Sequence, residues 1–298
     1  MSKKIAILGA TSHIAKGLIV RFLQDPAVEL FLFARTPNKV QEFLEAEKLA
    51  GQNHIADFSQ FLKGSYDVVI NCVGMGTPQK VQGHQAELFL LTEKFDDLCL
   101  EYLQSHETTL YINFSSGAVH GKSIVQLKPE DYYAMAKRTS EAKHRAFPNL
   151  NIIDLRVFAY FSRFIDLQAH YLITEIITCV KEKKEFVTGA NNIVRDYCHP
   201  ADLFSLVTKC ISYWQQNKKI NKAFDVYSKK PVSKMEIIEY FQKNNDLKVR
   251  VTTETQGLNA TGNKDYYCSE DKQAETIGYK PDYTALEAIA LESKEILR

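Results

Sequence analysis

The chain has 298 residues, enough for one large domain or two modest ones around a sizeable core. Its charge is nearly balanced, 37 Lys and Arg against 36 Asp and Glu, so nothing steers it toward nucleic acid or an anionic membrane surface. There is no run of 18 apolar residues to span a bilayer, and Met1-Ser2-Lys3-Lys4 leads into a strand-like stretch, not a leader peptide.

Six scattered cysteines (Cys72, Cys99, Cys179, Cys198, Cys210, Cys268) show no zinc-type or disulfide spacing. They predict free, mostly buried thiols, no metal site and a cytoplasmic location. Lys4-Ile5-Ala6-Ile7-Leu8 is a short apolar run ending at Gly9, the pattern of a fully buried parallel strand. Thr11 and Ser12 then precede Ile14, Leu18, Ile19 and Phe22, apolar positions at helical spacing. Strand, small-residue turn and helix in that order open a nucleotide-binding sheet, because the free N–H groups at such a helix start hold a pyrophosphate. Gly9 makes the turn, while Ser12 and Ala15 stand where fingerprints of this kind carry glycine.

The second strand, Leu30-Phe31-Leu32-Phe33, runs into Ala34-Arg35-Thr36-Pro37-Asn38-Lys39. An acidic residue there pairs with a ribose 2′-OH, whereas arginine accommodates a 2′-phosphate. Arg35, with Lys39 four residues on and no carboxylate between, favours NADP(H), with NAD(H) as the alternative. Ile55-Ala56-Asp57-Phe58 closes a short third strand, where Asp57 either accepts from an adenine amino group or caps a helix starting at Phe58. The fourth strand, Asp67 to Val73, ends at Gly74-Met75-Gly76-Thr77-Pro78, which permits close backbone approach to a ligand. A long amphipathic helix follows, roughly 85–103, whose Leu88, Leu91, Phe95, Leu98 and Leu103 predict a packing or dimer face.

Thr109 to Phe114 forms the fifth strand and ends in Ser115-Ser116-Gly117-Ala118-Val119-His120-Gly121. Residues at the carboxyl ends of parallel strands face the ligand crevice, so a serine here is placed to hydrogen-bond a substrate carbonyl. In Asp131-Tyr132-Tyr133-Ala134-Met135-Ala136-Lys137-Arg138, a helix sets Tyr133 and Lys137 one turn apart on one face. The ammonium is expected to lower the phenol from its ordinary value of about 10, so that it exchanges a proton with a substrate oxygen near neutral pH.

Taken in order, these parts resemble the extended short-chain dehydrogenase/reductase superfamily, the branch also called NAD-dependent epimerase/dehydratase. Gly9-Ala10-Thr11-Ser12-His13-Ile14-Ala15 comes first, Asp57 follows the third strand, and Tyr133-Ala-Met-Ala-Lys137 comes 17 residues after Ser116. Ile153-Asp154-Leu155-Arg156-Val157-Phe158 resembles the family's sixth strand, and Arg195-Asp196-Tyr197-Cys198-His199-Pro200-Ala201-Asp202 its "RDxxHxxD" segment. Phe224-Asp225-Val226-Tyr227-Ser228 followed by Pro231-Val232-Ser233 resembles a returning strand and the next helix cap, and Ile277-Gly278-Tyr279-Lys280-Pro281 the "LGxxP" near the C-terminus.

The resemblance implies an α/β fold: a doubly wound parallel sheet (Rossmann-like) with a smaller interleaved C-terminal substrate-binding domain. Residues 1–157, with 199–232 returning to them, would bind the dinucleotide; 158–198 and 233–298 would form a lid over the substrate. Tyr133 would be the general acid/base, Lys137 would tune it and hold the nicotinamide ribose, and Ser116 would hydrogen-bond the reacting oxygen. The cofactor set implied is Gly9, Thr11, Ser12, His13, Ile14, Arg35, Lys39, Asp57, Phe58, Cys72, Val73, Gly74, Val157 and Phe158, together with Tyr133 and Lys137. The substrate set is Met75, Ser116, Gly117, Phe158, His170 and Arg195. Arg195 would meet a sugar nucleotide's pyrophosphate, unless it pairs with Asp196 or Asp202 and braces the fold. A homodimer through helices at roughly 85–103 and 131–146 is a further family expectation.

Departures narrow the reaction. Gly117-Ala118 replaces the acidic pair of the family's 4,6-dehydratases, and Gly117 also replaces the cysteine of its epimerase-reductases. Ala159 stands in place of a substrate-binding asparagine, no arginine occurs from Gln256 to Lys264, and His120 replaces the commoner tyrosine. The expectation is NADPH-dependent reduction of a nucleoside-diphosphate 4-keto-6-deoxy sugar. The alternatives are a nucleotide-sugar 4-epimerase with retained NAD(P) and a non-catalytic NADP(H)-sensing protein.

Overall fold

The computed structural model describes residues 2–75, 83–121, 131–252 and 265–298. In chain order the first half runs β1 (Lys3–Leu8), α1 (His13–Phe22), β2 (Val28–Phe33), α2 (Pro37–Ala46), β3 (Asn53–Ala56), β4 (Val68–Asn71), α3 (Gln85–Ser105), β5 (Leu110–Ser116), α4 (Tyr132–Arg145) and β6 (Asn151–Val157). Then come β7 (Ala159–Tyr160), α5 (Leu172–Glu182), β8 (Glu185–Gly189), β9 (Val194–Arg195), β10 (Tyr197–Cys198), α6 (Pro200–Asn217) and β11 (Asn221–Val226). The chain closes with β12 (Val232–Ser233), α7 (Lys234–Asn245), β13 (Lys248–Thr252), β14 (Tyr266–Tyr267) and α8 (Ala285–Leu297).

Seven strands make one parallel sheet in the order β11-β6-β5-β4-β1-β2-β3, the doubly wound arrangement expected from the sequence. The order reverses between β1 and β4, so the crevice at the carboxyl ends of those strands is where a ligand binds in such folds. Side-chain alternation along the strands builds a core on each face. Ile5 and Ile7 pack with α1, α2 and α6, including Leu18, Val40 and Leu206. Ala6 and Leu8 pack on the other face with Phe95, Cys99 and Leu103 of α3. A third apolar cluster joins Phe161, Ile176, Phe186, Ile238 and Ile289 from the later elements.

Some boundaries differ from expectation for local reasons. Ser115 and Ser116 belong to β5 itself, paired in register with Arg156 and Val157. The sequence pattern predicts an amphipathic helix from about 167 to 179, whereas α5 starts only at Leu172 and continues to Glu182. The Asp166 carboxylate accepts from the Gln168 N–H (3.0 Å), and the Tyr171 N–H donates to the Thr174 hydroxyl (3.0 Å), which turns the chain before the helix begins. All six cysteines are free thiols. Among the described residues no helix is long and apolar enough to cross a membrane, and no His/Cys/Asp/Glu cluster could hold a metal ion.

Behind the sheet lies a buried polar network. His144, fully buried on α4, sits between Asp96 of α3 (2.6 Å) and Asp154 of β6 (2.9 Å). Tyr111 donates to Asp96 (3.0 Å), Asn71 to the Tyr111 hydroxyl (3.1 Å), and Asn113 to Asp154 (2.8 Å). The two carboxylates push the imidazole up to about 9 against its burial, so it is an imidazolium at neutral pH.

Candidate active site

The turn between β1 and α1 forms the floor of the crevice. Gly9 has φ +75°, and a Cβ there would come within 2.9 Å of the backbone of Cys72 and Val73 beyond β4, so glycine is required twice over. Ser12 caps α1, its Oγ accepting from the Ala15 N–H (3.3 Å), and no acidic residue lies in the first turn. That leaves the positive end of α1 open to an anion. These features fit a dinucleotide pyrophosphate. Cys72 lies beside Ser12 and Lys137, and burial pushes its thiol far up, so it stays protonated.

The remaining cofactor candidates divide. Arg35 and Lys39 are exposed just past β2. The Asp57 side chain is spent on a cap: it accepts from the Ser59 N–H at 2.8 Å, starting a short 3-10 helix at Phe58. The His13 ring accepts the Ser162 N–H (3.1 Å) and lies against Tyr160, which leaves only its backbone to face the crevice. Burial lowers that imidazole to about 4, which keeps it neutral as this bond requires. Thr11, Ile14, Val73, Gly74 and Met75 surround the same crevice end of β1 and β4, while Gly76, Thr77 and Pro78 lie outside the described residues.

Ser116, Tyr133 and Lys137 come together as the spacing requires. Ser116 is buried at the end of β5, near enough to Tyr133 to act on its phenol, and its hydroxyl accepts from the Ala118 N–H (3.2 Å) and shares a hydrogen bond with the Tyr267 hydroxyl (3.1 Å). The expected tuning of the phenol is corrected. The buried Lys137 ammonium donates to the Phe114 carbonyl at 2.8 Å, and burial, not charge, dominates Tyr133, holding it above the ordinary tyrosine value while Ser116 pulls it down. Tyr133 is therefore protonated at neutral pH.

Gly117 is explained by packing. A Cβ there would lie 2.5 Å from the Phe158 ring, which also packs at a tilt against Tyr267, centroids 5.0 Å apart. Gly117→Ala is expected to displace that ring and to cost roughly 1–3 kcal/mol in stability, measured by denaturant unfolding, with turnover falling alongside.

Arg195, buried in β9, donates Nη1 to the Val194 carbonyl (2.8 Å), while its Nη2 has no partner among the described residues. It does not pair with its acidic neighbours. Asp196 accepts from the Ser228 N–H (2.8 Å), and Asp202 from the Asp282 and Tyr283 N–H groups (2.9 and 3.2 Å). His199 caps α6 by accepting the Ala201 N–H. Arg195 thus keeps a charged donor for an anion.

His170 does not reach this cluster; its side chain is 72% exposed and faces Glu175 at 3.8 Å. The next residue, Tyr171, does, lying close enough to interact electrostatically with Tyr133 and Tyr197. Burial pushes Tyr197 up to about 12 and Tyr267 further, each beside the Arg195 guanidinium. Tyr171, Tyr197 and Tyr267 were not anticipated. Tyr197 is signalled only by its place two residues past Arg195, and Tyr267 meets Ser116 from 151 residues away, which no local pattern encodes.

The profile of the "NAD dependent epimerase/dehydratase family" matches residues 5–224. Comparison with curated protein sequences finds no significant match. Solved structures share the fold over the whole chain. UDP-glucose-4-epimerase from Stenotrophomonas maltophila with bound NAD and formylated UDP-arabinopyranose has a TM-score of 0.81 at 15% identity, covering 100% of this chain and 98% of that one. UDP-glucuronic acid 4-epimerase from Bacillus cereus in complex with UDP-glucuronic acid and NAD scores 0.78 at 16% identity, covering 98% of each. dTDP-glucose 4,6-dehydratase from Bacillus anthracis with NAD scores 0.76 at 15% identity, covering 98% and 96%. With that profile spanning most of its length and the motifs in family order, the chain belongs to the NAD-dependent epimerase/dehydratase family, in the extended short-chain dehydrogenase/reductase branch.

Proposed function

We propose that the protein uses NADPH to reduce the keto group of a nucleoside-diphosphate 4-keto-6-deoxy sugar. The observation that carries this reading is the buried Ser116 hydroxyl at the end of β5 beside the half-buried Tyr133 of α4, with Tyr133 held protonated and so ready to give a proton. When bound, the dinucleotide supplies the hydride. The α1 N-terminus and the Gly9 turn hold its pyrophosphate, Arg35 and Lys39 meet a 2′-phosphate, and Lys137 holds the ribose hydroxyls. Ser116 polarises the ketone, and Tyr133 gives its proton to the oxygen. The free Nη2 of Arg195 takes the sugar nucleotide's pyrophosphate, and residues 158–198 and 233–298 cover it. Two copies pair through α3 and α4, where Leu90 is 67% exposed.

Gly117-Ala118 lacks the acid that water elimination needs, which argues against dehydration. The rival is a 4-epimerase that retains its cofactor, favoured by the NAD-bound 4-epimerases among the structural neighbours. NADPH consumption with dTDP-4-keto-6-deoxyglucose supports the reductase. Interconversion of UDP-glucose and its 4-epimer without added cofactor would replace it with the epimerase. Arg35→Asp is expected to weaken NADP(H) by roughly ten- to a hundredfold, the loss of a charged hydrogen bond, and to shift preference toward NAD(H). An unchanged ratio of Kd values, read by cofactor fluorescence, removes Arg35 from the 2′-phosphate.

A further inference from the structure

Asp225, the penultimate residue of β11, is only 2% exposed, and its two carboxylate oxygens serve different parts of the chain. Oδ1 lies 2.8 Å from Nε2 of His120, and Oδ2 accepts the Ser269 hydroxyl at 2.7 Å. Arg156 of the neighbouring strand stands 3.8 Å from Oδ1. His120 ends the short 3-10 helix that begins directly after Ser116, and Ser269 lies two residues past Tyr267. One buried carboxylate therefore ties the segment carrying Ser116 to the segment carrying Tyr267.

The same two segments meet again where the Ser116 and Tyr267 hydroxyls share their 3.1 Å hydrogen bond. Between the two joints lies Phe158, its ring 5.0 Å from that of Tyr267 and 5.9 Å from that of His120, and pressed against Gly117. A serine hydroxyl offers one proton and two lone pairs. The Ala118 N–H occupies one lone pair. With Tyr267 as the donor of that shared bond, the Ser116 proton is turned toward Tyr133 and the place of the substrate oxygen. The Tyr267–Ser116 joint thus fixes the direction of the bond that Ser116 gives Tyr133.

We propose that Asp225 is a positioning residue for Ser116: by holding His120 and Ser269 on its two oxygens, it sets the Ser116–Tyr267 hydroxyl pair and, through it, the hydrogen bond to Tyr133. This rests on the reading that Ser116 and Tyr133 carry the reaction. A carboxylate suits the task because it accepts charge-assisted bonds on both oxygens, whereas an asparagine presents one oxygen and one amino group to two donors.

The test is a double-mutant cycle on the full chain with Asp225→Asn, Ser116→Ala and both together. Two readouts are taken: NADPH-dependent reduction of dTDP-4-keto-6-deoxyglucose, and the Cζ chemical shifts of Tyr133 and Tyr267 in ¹³C-tyrosine-labelled protein, assigned with Tyr133→Phe and Tyr267→Phe. Asp225→Asn is expected to lower kcat roughly tenfold, with KM held within about threefold, and to move both tyrosine signals. In the Ser116→Ala background it adds no further loss or shift. Ser269→Ala, which breaks one joint only, moves the same signals less and serves in place of Asp225→Asn if that variant does not fold. Unmoved tyrosine signals, or losses that simply multiply in the double variant, overturn the proposal. If Ser116→Ala leaves turnover intact, or the wild type does not reduce the probe, the reading of the reaction falls, and the signals alone decide whether Asp225 sets the pair.

Discussion

Replacing Tyr133 with phenylalanine is expected to lower turnover by roughly 10²- to 10⁴-fold, the range for losing a positioned proton donor. Dinucleotide affinity should stay within several-fold, because the contacts proposed for the cofactor at Gly9, the α1 N-terminus and Lys137 are left in place. The size of the effect follows from the surroundings of the hydroxyl. Burial holds the phenol above its ordinary value, opposed by the bond from Ser116, so it enters the reaction as an acid. That state suits ketone reduction, where the proton moves from Tyr133 to substrate oxygen. Steady-state kinetics with cofactor-binding fluorescence checks both halves. Turnover within a few-fold of wild type removes Tyr133 from the mechanism.

His144→Leu is expected to cost about 3–5 kcal/mol of stability, although its ring lies behind the sheet and meets no ligand. The variant removes the fully buried cation between Asp96 and Asp154 and leaves each carboxylate only a partly exposed partner, Lys143 for Asp96 (2.9 Å) and Arg145 for Asp154. The same site gives wild-type stability a pH dependence of definite sign. The imidazole is raised from its ordinary 6.5 to about 9 in the folded state. Its contribution, about 3 kcal/mol by that difference, is complete below pH 6.5, declines as the pH rises, and is gone above about 9. Urea unfolding at pH 6, 7.5 and 9.5 should show this loss in the wild type, and the variant should lack it. The network also bears on the site. Asp96, Asp154 and Glu141 hold Lys137 up against the burial that lowers it. A variant whose stability tracks pH as the wild type does would assign the dependence to another group.

The sheet was readable in the sequence because each buried strand is a short apolar run punctuated by Gly, Ser or Asp, and such runs have few other places to go. Ser116, Tyr133 and Lys137 were readable for a related reason: strand end and helical turn fix their relative placement over a few tens of residues. The phenol's proton affinity was misjudged because helical spacing gives proximity but not the ammonium's preferred acceptor, which proved to be the Phe114 carbonyl. His170 turns to solvent and its neighbour Tyr171 lies nearer Tyr133, since the start of α5 depends on side-chain bonds at Asp166 and Thr174 that no periodicity shows. Tyr267 was invisible: it reaches Ser116 through the pairing of β14 with β9, a contact between segments with no shared pattern.

The route of the backbone has a consequence for how the molecule comes apart. After β6 it leaves the sheet, returns for α6 and β11, then leaves again, and Leu203, Leu206 and Val207 of α6 share an apolar cluster with Leu18 and Ile19 of α1. Tyr160 fits its hydroxyl against Gly17, and Ser162 bonds His13, so the excursion is buttoned to the first helix as well. Cutting the chain between 158 and 220 would strip partners from the apolar core that α1 and α6 share on one face of the sheet. Scission there is accordingly expected to destabilise the sheet, read as a lower melting temperature of the nicked chain.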